Sequence, residues 1–339
     1  MTILFIDSFD HYIDLSQKYT GSRYATISSG SGRYGTAGVH IGYGSGSSPG
    51  YFYKTFSSSE YIFTAGFAWT RTVDRGPMVS PCQIVEFYYS GGVSESVSVS
   101  LGREGELYIG TGSNSATTLG ISTRKTVPNK SYYLEFSVLC DQSVGQATIR
   151  LNGTKWIDLS DVNTSPYTYY GNIFDTVKIH AGGEPNIDDL YISNDIEPLG
   201  DVRIFTLYPS LDGATSQWTP SSGSAHYSLV NESPPVTTGY VSSSGSLTDL
   251  YEFDTFEYGI GTAQAVQLNH LLASGTATTG TLDIYGKLTS GSLSYTTSAS
   301  GLAGSQTTYQ YKSFIIDDDP ITGKEWLLED INTYQFGIA

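Results

Sequence analysis

The residue types that most often carry catalysis are scattered along this chain, and they form no recognised linear motif. No histidine lies in HExxH or a related metal-binding pattern, and the chain contains neither a GxSxG nucleophile elbow nor a Walker A loop. Most of these side chains are therefore expected to be structural, and the sequence predicts that the protein is not an enzyme. The histidines are His11, His40, His180, His226 and His270.

Carboxylates are the second group that could perform chemistry, because glycosidases use two of them at a fixed separation. Alternating burial along predicted strands explains these side chains as well, so a glycan-cleaving enzyme is kept only as a third alternative. The candidate residues are Glu86, Glu104, Glu106, Glu135 and Glu252.

Two acidic runs offer oxygen ligands of the kind that calcium prefers. One contains Asp188 and Asp189, and the other contains Asp317 and Asp318, followed by Asp319. Neither run fits the EF-hand loop, and a strand entry or a solvated turn is the favoured interpretation. No cofactor is expected, and calcium at either run stays open.

The two cysteines, Cys82 and Cys140, fit no metal spacing and no CxxC motif. They are expected to behave as two small buried apolar residues. One long-range disulfide between them is the alternative.

Clustered aromatic residues provide the candidate contact surface, because tyrosine gives a large contact area at a low cost in side-chain entropy. Packing in the core or between strands is an equally good explanation for them. The predicted contact residues are Tyr51 and Tyr53, which flank Phe52, then Tyr167, Tyr169 and Tyr170 in a predicted loop, and Trp218.

Composition indicates what kind of fold must position these residues. The chain has 339 residues, with 38 Gly, 27 Tyr, 14 Phe and only 2 Met, which is typical of short strands joined by tight turns. Its formal net charge of −16 disfavours nucleic-acid binding. Neither a signal peptide nor a membrane span is recognised, so synthesis in the cytoplasm without membrane insertion is expected.

The pattern along the chain predicts an all-β protein of two β-sandwich, jelly-roll-like domains, residues 1–197 and 198–339. Tyr132–Leu139 is a strong strand, and Asn152-Gly153 between two β-prone runs predicts a hairpin. The polar, proline-containing run from Asn194 to Gly200 marks the boundary. A strand is expected over Asp201–Tyr208, followed by an irregular stretch from Pro209 to Ser246. A helix of about two turns is expected over Gly323–Asn332.

The first half resembles the laminin-G/concanavalin-like jelly roll. The resemblance is carried by the Leu-Asn-Gly hairpin at 151–153 and by the Asp-containing closing strand Ile187–Ile192. The opening Phe5–Tyr12 is similar to the start of such domains in bacteriophage proteins. Calcium sites known in some laminin-G domains cannot be carried over, because no ligand set here matches one.

The second half resembles a β-sandwich module of tailed-bacteriophage virion proteins. The matching phrases are Leu199–Arg203, Gln217–Pro220, Asn231–Pro235, Tyr240–Ser244 and the late run from Asp319-Pro320 through Trp326 and Asn332 to Phe336-Gly337. This resemblance implies a structural role on the surface of a phage particle, as a capsid decoration, a head fibre or a tail appendage. It also implies partners among other virion proteins and a closed homo-oligomer, with a trimer favoured.

A lectin-like module that recognises a host-surface glycan is the alternative function. Fold resemblance does not decide between the two, because the laminin-G-like fold occurs in lectins and in enzymes.

Overall fold

The computed structural model describes residues 2–44, 48–72, 82–91, 96–112, 117–165, 173–256, 261–275 and 280–339. Within these ranges the chain is almost entirely β, and its single α-helix is α1, Leu328–Ile331. The predicted fold class, β-sandwich-like sheets with one short helix near the C-terminus, is therefore confirmed.

The chain divides into two compact units, Met1–Ile204 and Phe205–Ala339. The division lies a few residues after the position expected from sequence, because the segment after residue 197 is bonded to the first unit. The Gly200 N–H donates to Glu135 Oε1 at 2.7 Å, and the Ile204 N–H donates to Asp189 Oδ1 at 2.8 Å. Asp201 also accepts a hydrogen bond from the Arg33 guanidinium at 2.6 Å.

The strands of the first unit follow one another along the chain with short connections. They are β1 (Ile3–Asp7), β2 (Gly21–Arg23), β3 (Ala25–Ser29), β4 (Ala37–Ile41), β5 (Tyr51–Glu60), β6 (Ile62–Arg71), β7 (Cys82–Tyr88), β8 (Ser96–Leu101), β9 (Glu106–Thr111), β10 (Thr117–Lys125), β11 (Ser131–Leu139), β12 (Gly145–Leu151), β13 (Thr154–Val162), β14 (Phe174–His180) and β15 (Pro185–Ser193).

Two antiparallel sheets arise from these strands in the described part of the unit. An eight-stranded sheet has the order β13-β12-β11-β6-β15-β4-β3, with β1 paired to β15. A seven-stranded sheet has the order β10-β9-β8-β7-β14-β5-β2. Neighbours that are distant in sequence, such as β7 beside β14, show that the register of this sheet is set by long-range pairing.

Aromatic residues fill the space between the two sheets. Phe63 of β6 contacts Phe87 of β7 with ring centroids 5.7 Å apart, and Phe87 stacks on Phe136 of β11 at 4.8 Å. All three side chains are fully buried. Alternation along each strand then directs the intervening residues to the outer faces of the sheets.

The predicted hairpin at Asn152-Gly153 joins β12 to β13, as expected. Both turn residues have positive φ, 49° and 72°. An Asn-Gly pair is suited to this turn because glycine has no Cβ and asparagine tolerates the left-handed region.

The second unit contains shorter strands. They are β16 (Pro209–Ser216), β17 (Thr219–Pro220), β18 (Val241–Ser242), β19 (Asp249–Phe253), β20 (Thr262–Ala263), β21 (Val266–Leu272), β22 (Thr281–Ile284), β23 (Gly286–Ser290), β24 (Leu293–Thr296), β25 (Ser300–Ala303), β26 (Gln310–Ile316), β27 (Trp326–Leu327) and β28 (Gln335–Ile338).

A five-stranded sheet, β16-β19-β28-β23-β24, forms one layer of this unit, and the β21–β26 pair packs against it. The approach is close at Gly286, where an added Cβ would lie 3.0 Å from Leu268 of β21. The core between the layers centres on Trp326, which is fully buried with Phe314 and Phe336 nearby.

Two local predictions in the second half were wrong. Asp201–Tyr208 is not a strand, and the strand begins at Pro209, where β16 pairs with β19. The predicted helix from Gly323 to Asn332 is reduced to the single turn of α1. Trp326 instead pairs with Ala263 as a strand residue, and its indole N–H donates to the Ile316 carbonyl at 2.9 Å. Tertiary burial of the indole therefore outweighs the helical spacing.

Both cysteines are free thiols, Cys140 buried and Cys82 partly buried. The disulfide alternative is thus not formed. In the described part of the chain, no helix has the length and apolar character needed to cross a membrane.

Candidate functional site

The outer face of the seven-stranded sheet carries a group of polar and aromatic side chains. Strand register places them together, because residues directly opposite on neighbouring strands share a face. Lys178 of β14 lies between Tyr53 of β5 and Glu86 of β7. His180 lies opposite Tyr51 on the same pair of strands. We call this group the polar face: Tyr51, Tyr53, Glu86, Tyr88, Lys178 and His180.

A hydrogen-bonded acid–base pair lies at the centre of the polar face. His180 Nε2 lies 2.7 Å from Glu86 Oε2, so the neutral imidazole donates its N–H to the carboxylate. Lys178 Nζ lies 3.9 Å from the same oxygen. The side chains of Glu86 and Lys178 are 16% and 23% exposed, so both are reachable from outside.

The protonation states of this pair follow from its surroundings. Burial alone would raise the pKa of Glu86, but the hydrogen bond from His180 and the charges of His180 and Lys178 hold it below its usual value. Burial lowers the pKa of His180, and Glu86 offsets this only in part. At neutral pH the pair is a carboxylate beside a neutral imidazole.

Tyrosines surround the acid–base pair on the same face. The Lys178 ammonium lies over the Tyr51 ring, 4.4 Å from its centroid, and the Tyr51 and Tyr53 rings are 6.2 Å apart. Tyr88 lies opposite Thr176 of β14, two residues before Lys178. Burial and the nearby charge of Glu86 raise the pKa of Tyr88, so its hydroxyl stays protonated and can donate.

A row of serines continues the face towards the far edge of the sheet. Ser98 of β8 pairs opposite Glu86, and Ser100 pairs opposite Tyr108 of β9. Tyr108 in turn donates to Glu106 Oε1 at 2.8 Å. Ser98 and Ser100 are themselves fully buried. The accessible part of the face therefore offers tyrosine rings and hydroxyls and one carboxylate–imidazole–ammonium group.

The predicted contact residues are distributed unevenly. Tyr51 and Tyr53 belong to the polar face. Trp218 lies in the second unit, where its backbone N–H donates to Asp249 and its indole N–H to the Leu247 carbonyl. Tyr167, Tyr169 and Tyr170 lie outside the described residues.

Four residues of the polar face were not predicted as contact residues, and one of them, His180, was considered only as a structural histidine. Glu86 was considered only as a glycosidase carboxylate, and Lys178 and Tyr88 only as parts of strands. The alternation of polar and apolar residues in β7 and β14 indicated that these side chains share a face within each strand. The pairing of β7 with β14 joins segments some ninety positions apart, and no sequence pattern predicted it.

Hydrogen bonds within the protein occupy the calcium candidates of the first unit. Asp188 Oδ2 accepts from the Arg33 backbone N–H at 2.7 Å, and the Arg33 guanidinium lies 3.7 Å from Asp189 Oδ2. Burial raises the pKa of Asp188 to about 7 and that of Asp189 to about 6, so neither is a fully charged ligand at neutral pH. At Asp317 and Asp318, as elsewhere among the described residues, no three His, Cys, Asp or Glu side chains converge on a metal position.

The other carboxylate candidates lie apart from Glu86. Glu104 forms an ion pair with Lys125, and Glu106 bonds to Tyr108. Glu135 is buried against Tyr191, and Glu252 lies in the second unit beside Gln335.

No protein-family model matches the chain, and no curated protein matches it. Solved structures are similar to part of the chain, at low identity and with TM-scores below 0.5. The alginate lyase vAL-1 from Chlorella virus has a TM-score of 0.43 and 10% identity, over 57% of this chain and 99% of that one. The cellulose-induced protein Cip1 has a TM-score of 0.38 and 13% identity, over 56% of this chain and 93% of that one. The carbohydrate-binding module CBM66 from Bacillus subtilis has a TM-score of 0.29 and 13% identity, over 45% of this chain and 85% of that one. Likeness at this level concerns the fold alone.

The comparison corrects one prediction. The chain was expected not to be an enzyme, yet vAL-1, a lyase, is among the solved structures similar to it. The expectation rested on the absence of linear motifs. Reactive groups in a sheet come from separate strands, as Glu86 and His180 do here, so a linear motif is not required.

Proposed function

We propose that the polar face of the first unit binds carbohydrate. The observation that carries this proposal is the convergence, on one sheet face, of the Tyr51 and Tyr53 rings with the Glu86–His180–Lys178 group. A sugar presents apolar C–H surfaces and polar hydroxyl groups at once. A tyrosine ring can cover the apolar C–H surfaces, and charged or imidazole groups can form hydrogen bonds with the hydroxyl groups.

The charges of the polar face and of the whole chain favour an uncharged glycan over an acidic one. Within the polar face the carboxylate of Glu86 and the ammonium of Lys178 oppose each other 3.9 Å apart. The whole chain carries a formal net charge of −16, which repels polyanions at long range. We therefore expect neutral polysaccharides to bind more tightly than polyuronates at low ionic strength.

Affinity electrophoresis of the full chain against a panel of neutral and acidic polysaccharides tests the proposal. Tyr51→Ala should weaken binding about tenfold, corresponding to ~1.4 kcal/mol. The matched control is Tyr61→Ala, which removes a tyrosine that is 63% exposed and outside the polar face. Absence of binding to every glycan by the unchanged protein, or equal losses in both variants, would contradict the proposal.

Glu86→Gln provides the second arm of the same experiment. It keeps the side-chain shape but removes the charge that faces His180 and Lys178. Binding should weaken, and any release of reducing or unsaturated ends from the bound glycan should stop. Unchanged affinity would remove Glu86 from the site.

A role on the surface of a tailed-phage particle is the second proposal, and it rests on the sequence phrases of the second half. It is compatible with glycan binding, because a particle appendage can attach to a host polysaccharide. Sedimentation of the full chain in solution should give a trimer, and the protein should co-sediment with capsids or tails that lack it. A monomer that binds neither would contradict this role.

A further inference from the structure

The first unit contains an ion pair that is closed off from solvent and lies far from the polar face in sequence. Asp7 ends β1, and Lys18 follows a short 3-10 turn over Leu15–Gln17. Lys18 Nζ lies 3.2 Å from Asp7 Oδ1, and the two side chains are 1% and 0% exposed. We call Asp7, His11, Tyr12, Lys18 and Tyr19 the buried cluster.

Three side chains around this ion pair are placed as amide formation would need. On the amine side, His11 Nε2 lies 3.2 Å from Lys18 Nζ. Lysine can only donate, so Nε2 is the acceptor and can take a proton from the amine. On the acid side, the Tyr12 and Tyr19 hydroxyls both donate to Asp7 Oδ2, at 2.5 and 3.0 Å. Two donors on one carboxyl oxygen stabilise negative charge that develops there.

Aromatic rings enclose the pair and keep it dry. The Lys18 ammonium lies 5.2 Å from the centroid of the Phe5 ring and 5.3 Å from that of Tyr12. The Tyr19 ring packs edge-on against Phe5 and Phe52. Water, which drives amide hydrolysis in solution, is excluded from this position.

An ion pair in such surroundings is costly, because both charges have lost their hydration. Joining the two groups as an amide would remove both charges and release one water molecule to solvent. Burial therefore favours the amide here, whereas water favours the separate ions. The fold also holds the reacting groups in contact, which replaces the entropic cost of bringing them together.

We propose that Lys18 and Asp7 condense to an intramolecular isopeptide bond, so that this site is a self-catalysed cross-link. Lys18 Nζ attacks Asp7 Cγ, and a new C–N bond forms. His11 takes the proton from the attacking nitrogen, and the Tyr12 and Tyr19 hydroxyls hold the negative charge on Oδ2. The Cγ–Oδ1 bond then breaks, and Oδ1 leaves as water with protons that came from the ammonium. An ammonium and a carboxylate thus become one amide and one water, with no oxidant or co-reactant.

The protonation states of Lys18 and His11 fit this step, whereas that of Asp7 opposes it: burial would raise the pKa of Asp7, but Lys18, His11 and the Tyr12 hydroxyl hold it below its usual value, so Asp7 starts as a carboxylate. Burial lowers the pKa of Lys18, which brings the nucleophilic neutral amine within reach. Burial, with the Lys18 charge, lowers the pKa of His11 to about 3, so its imidazole is neutral at pH 7 and its Nε2 can accept the hydrogen bond from the amine.

Intact mass spectrometry of the full chain is the first test. The proteolytic map gives the position, because trypsin does not cut after an acylated lysine. The expected mass is lower than the sequence mass by one water. Trypsin should leave the bond after Lys18 uncut, so one tryptic peptide should continue through Lys18 to Arg23. When this peptide is fragmented in the mass spectrometer, no fragment ions should come from backbone cleavage between residues 7 and 18, because the cross-link closes that segment into a ring. A cyclic imide at an aspartate would also remove one water, but it would leave Lys18 cleavable.

Two variants should change the mass loss in different ways, one by abolishing it and the other by changing the molecule that leaves. Lys18→Arg keeps the charge but replaces the amine by a guanidinium, which is not a nucleophile, so its mass should equal the sequence mass. Asp7→Asn allows the same attack with ammonia as the leaving group, so its mass should fall by one ammonia instead of one water.

Lys54→Arg is the matched control. The Lys54 amine also lies over the Phe5 ring, at 5.0 Å, but it takes no part in the step. This variant should keep the loss of one water.

The proposal is overturned if the folded, unchanged protein has its full sequence mass and trypsin cuts normally after Lys18. It is also overturned if the missing water maps to a peptide without Lys18. Because the unchanged protein carries this test, failure of a variant to fold does not leave the question open. The result is independent of whether the polar face binds a glycan.

Discussion

At the residue scale, the protonation state of a partly buried side chain depends on its neighbours, and Glu86 is the clearest case. Its carboxylate accepts from His180 and faces Lys178, and this contact keeps it ionised in a partly buried position. The same pairing makes any function of the polar face dependent on pH.

Glycan binding should depend on the ionised form of Glu86. Since its pKa lies below the ordinary value of 4.5, binding should be constant from pH 8 down to pH 5 and be lost only at lower pH, as the carboxylate is protonated. Affinity electrophoresis across this range measures it. In Glu86→Gln the dependence should disappear, while a loss that begins near pH 6.5 would point to a histidine instead.

His270 should make the second unit sensitive to acid. Burial lowers its pKa from 6.5 to about 4, so the unfolded chain binds the proton more readily than the folded one. Stability from this residue is complete above pH 6.5 and is lost as the pH falls from 6.5 towards 4, by about 1–3 kcal/mol. Replacing the ring, which packs on Phe314, by His270→Gln should flatten this dependence in thermal unfolding. An unchanged slope would contradict the assignment.

At the scale of elements, turns and register decide which side chains meet. Most strands were recognised from alternation and β-prone composition, including β11 and the β12–β13 hairpin. The errors fell where tertiary contacts overrode local preference, as at Trp326, whose burial turned a helical pattern into a strand residue.

The β12–β13 hairpin offers a test of how much the backbone conformation of a turn contributes to stability. Gly153 has φ of 72° and no atom within 4 Å of an added Cβ, so Gly153→Ala should cost only the left-handed backbone conformation, about 1 kcal/mol. Amide hydrogen exchange in β12 and β13 should quicken accordingly. Gly42→Ala is the control, because its added Cβ meets nothing closer than 3.8 Å and its φ is not positive. Equal effects in both variants would contradict the role of φ.

At the scale of the whole molecule, each unit has its own sheets and core. The first unit needs the segment that follows residue 197. Leu199 and Gly200 donate to the Tyr191 hydroxyl and to Glu135, and these acceptors are buried. Removing the donors would take one hydrogen bond from each of these buried acceptors, which still bond to each other, and this costs about 1 kcal/mol for each bond.

A fragment of residues 1–204 should therefore unfold at a higher temperature than a fragment of residues 1–197. The expected difference is several degrees, from about two to three lost hydrogen bonds to buried acceptors. Differential scanning calorimetry compares the two. Equal transition temperatures would show that the segment contributes nothing to the first unit.

The sequence by itself determined the all-β class, the strong strands, the Asn152-Gly153 turn and the presence of two units, because periodicity and turn chemistry are local properties. It also predicted Tyr51 and Tyr53 as contact residues, and this stays a prediction. Only the tertiary structure decided that Glu86, Lys178 and His180 join them, since strand register depends on pairing between distant segments. The buried cluster was equally hidden. Asp7 and Lys18 are near each other in sequence, but only the packing of aromatic rings around them removes the water that would otherwise separate their charges.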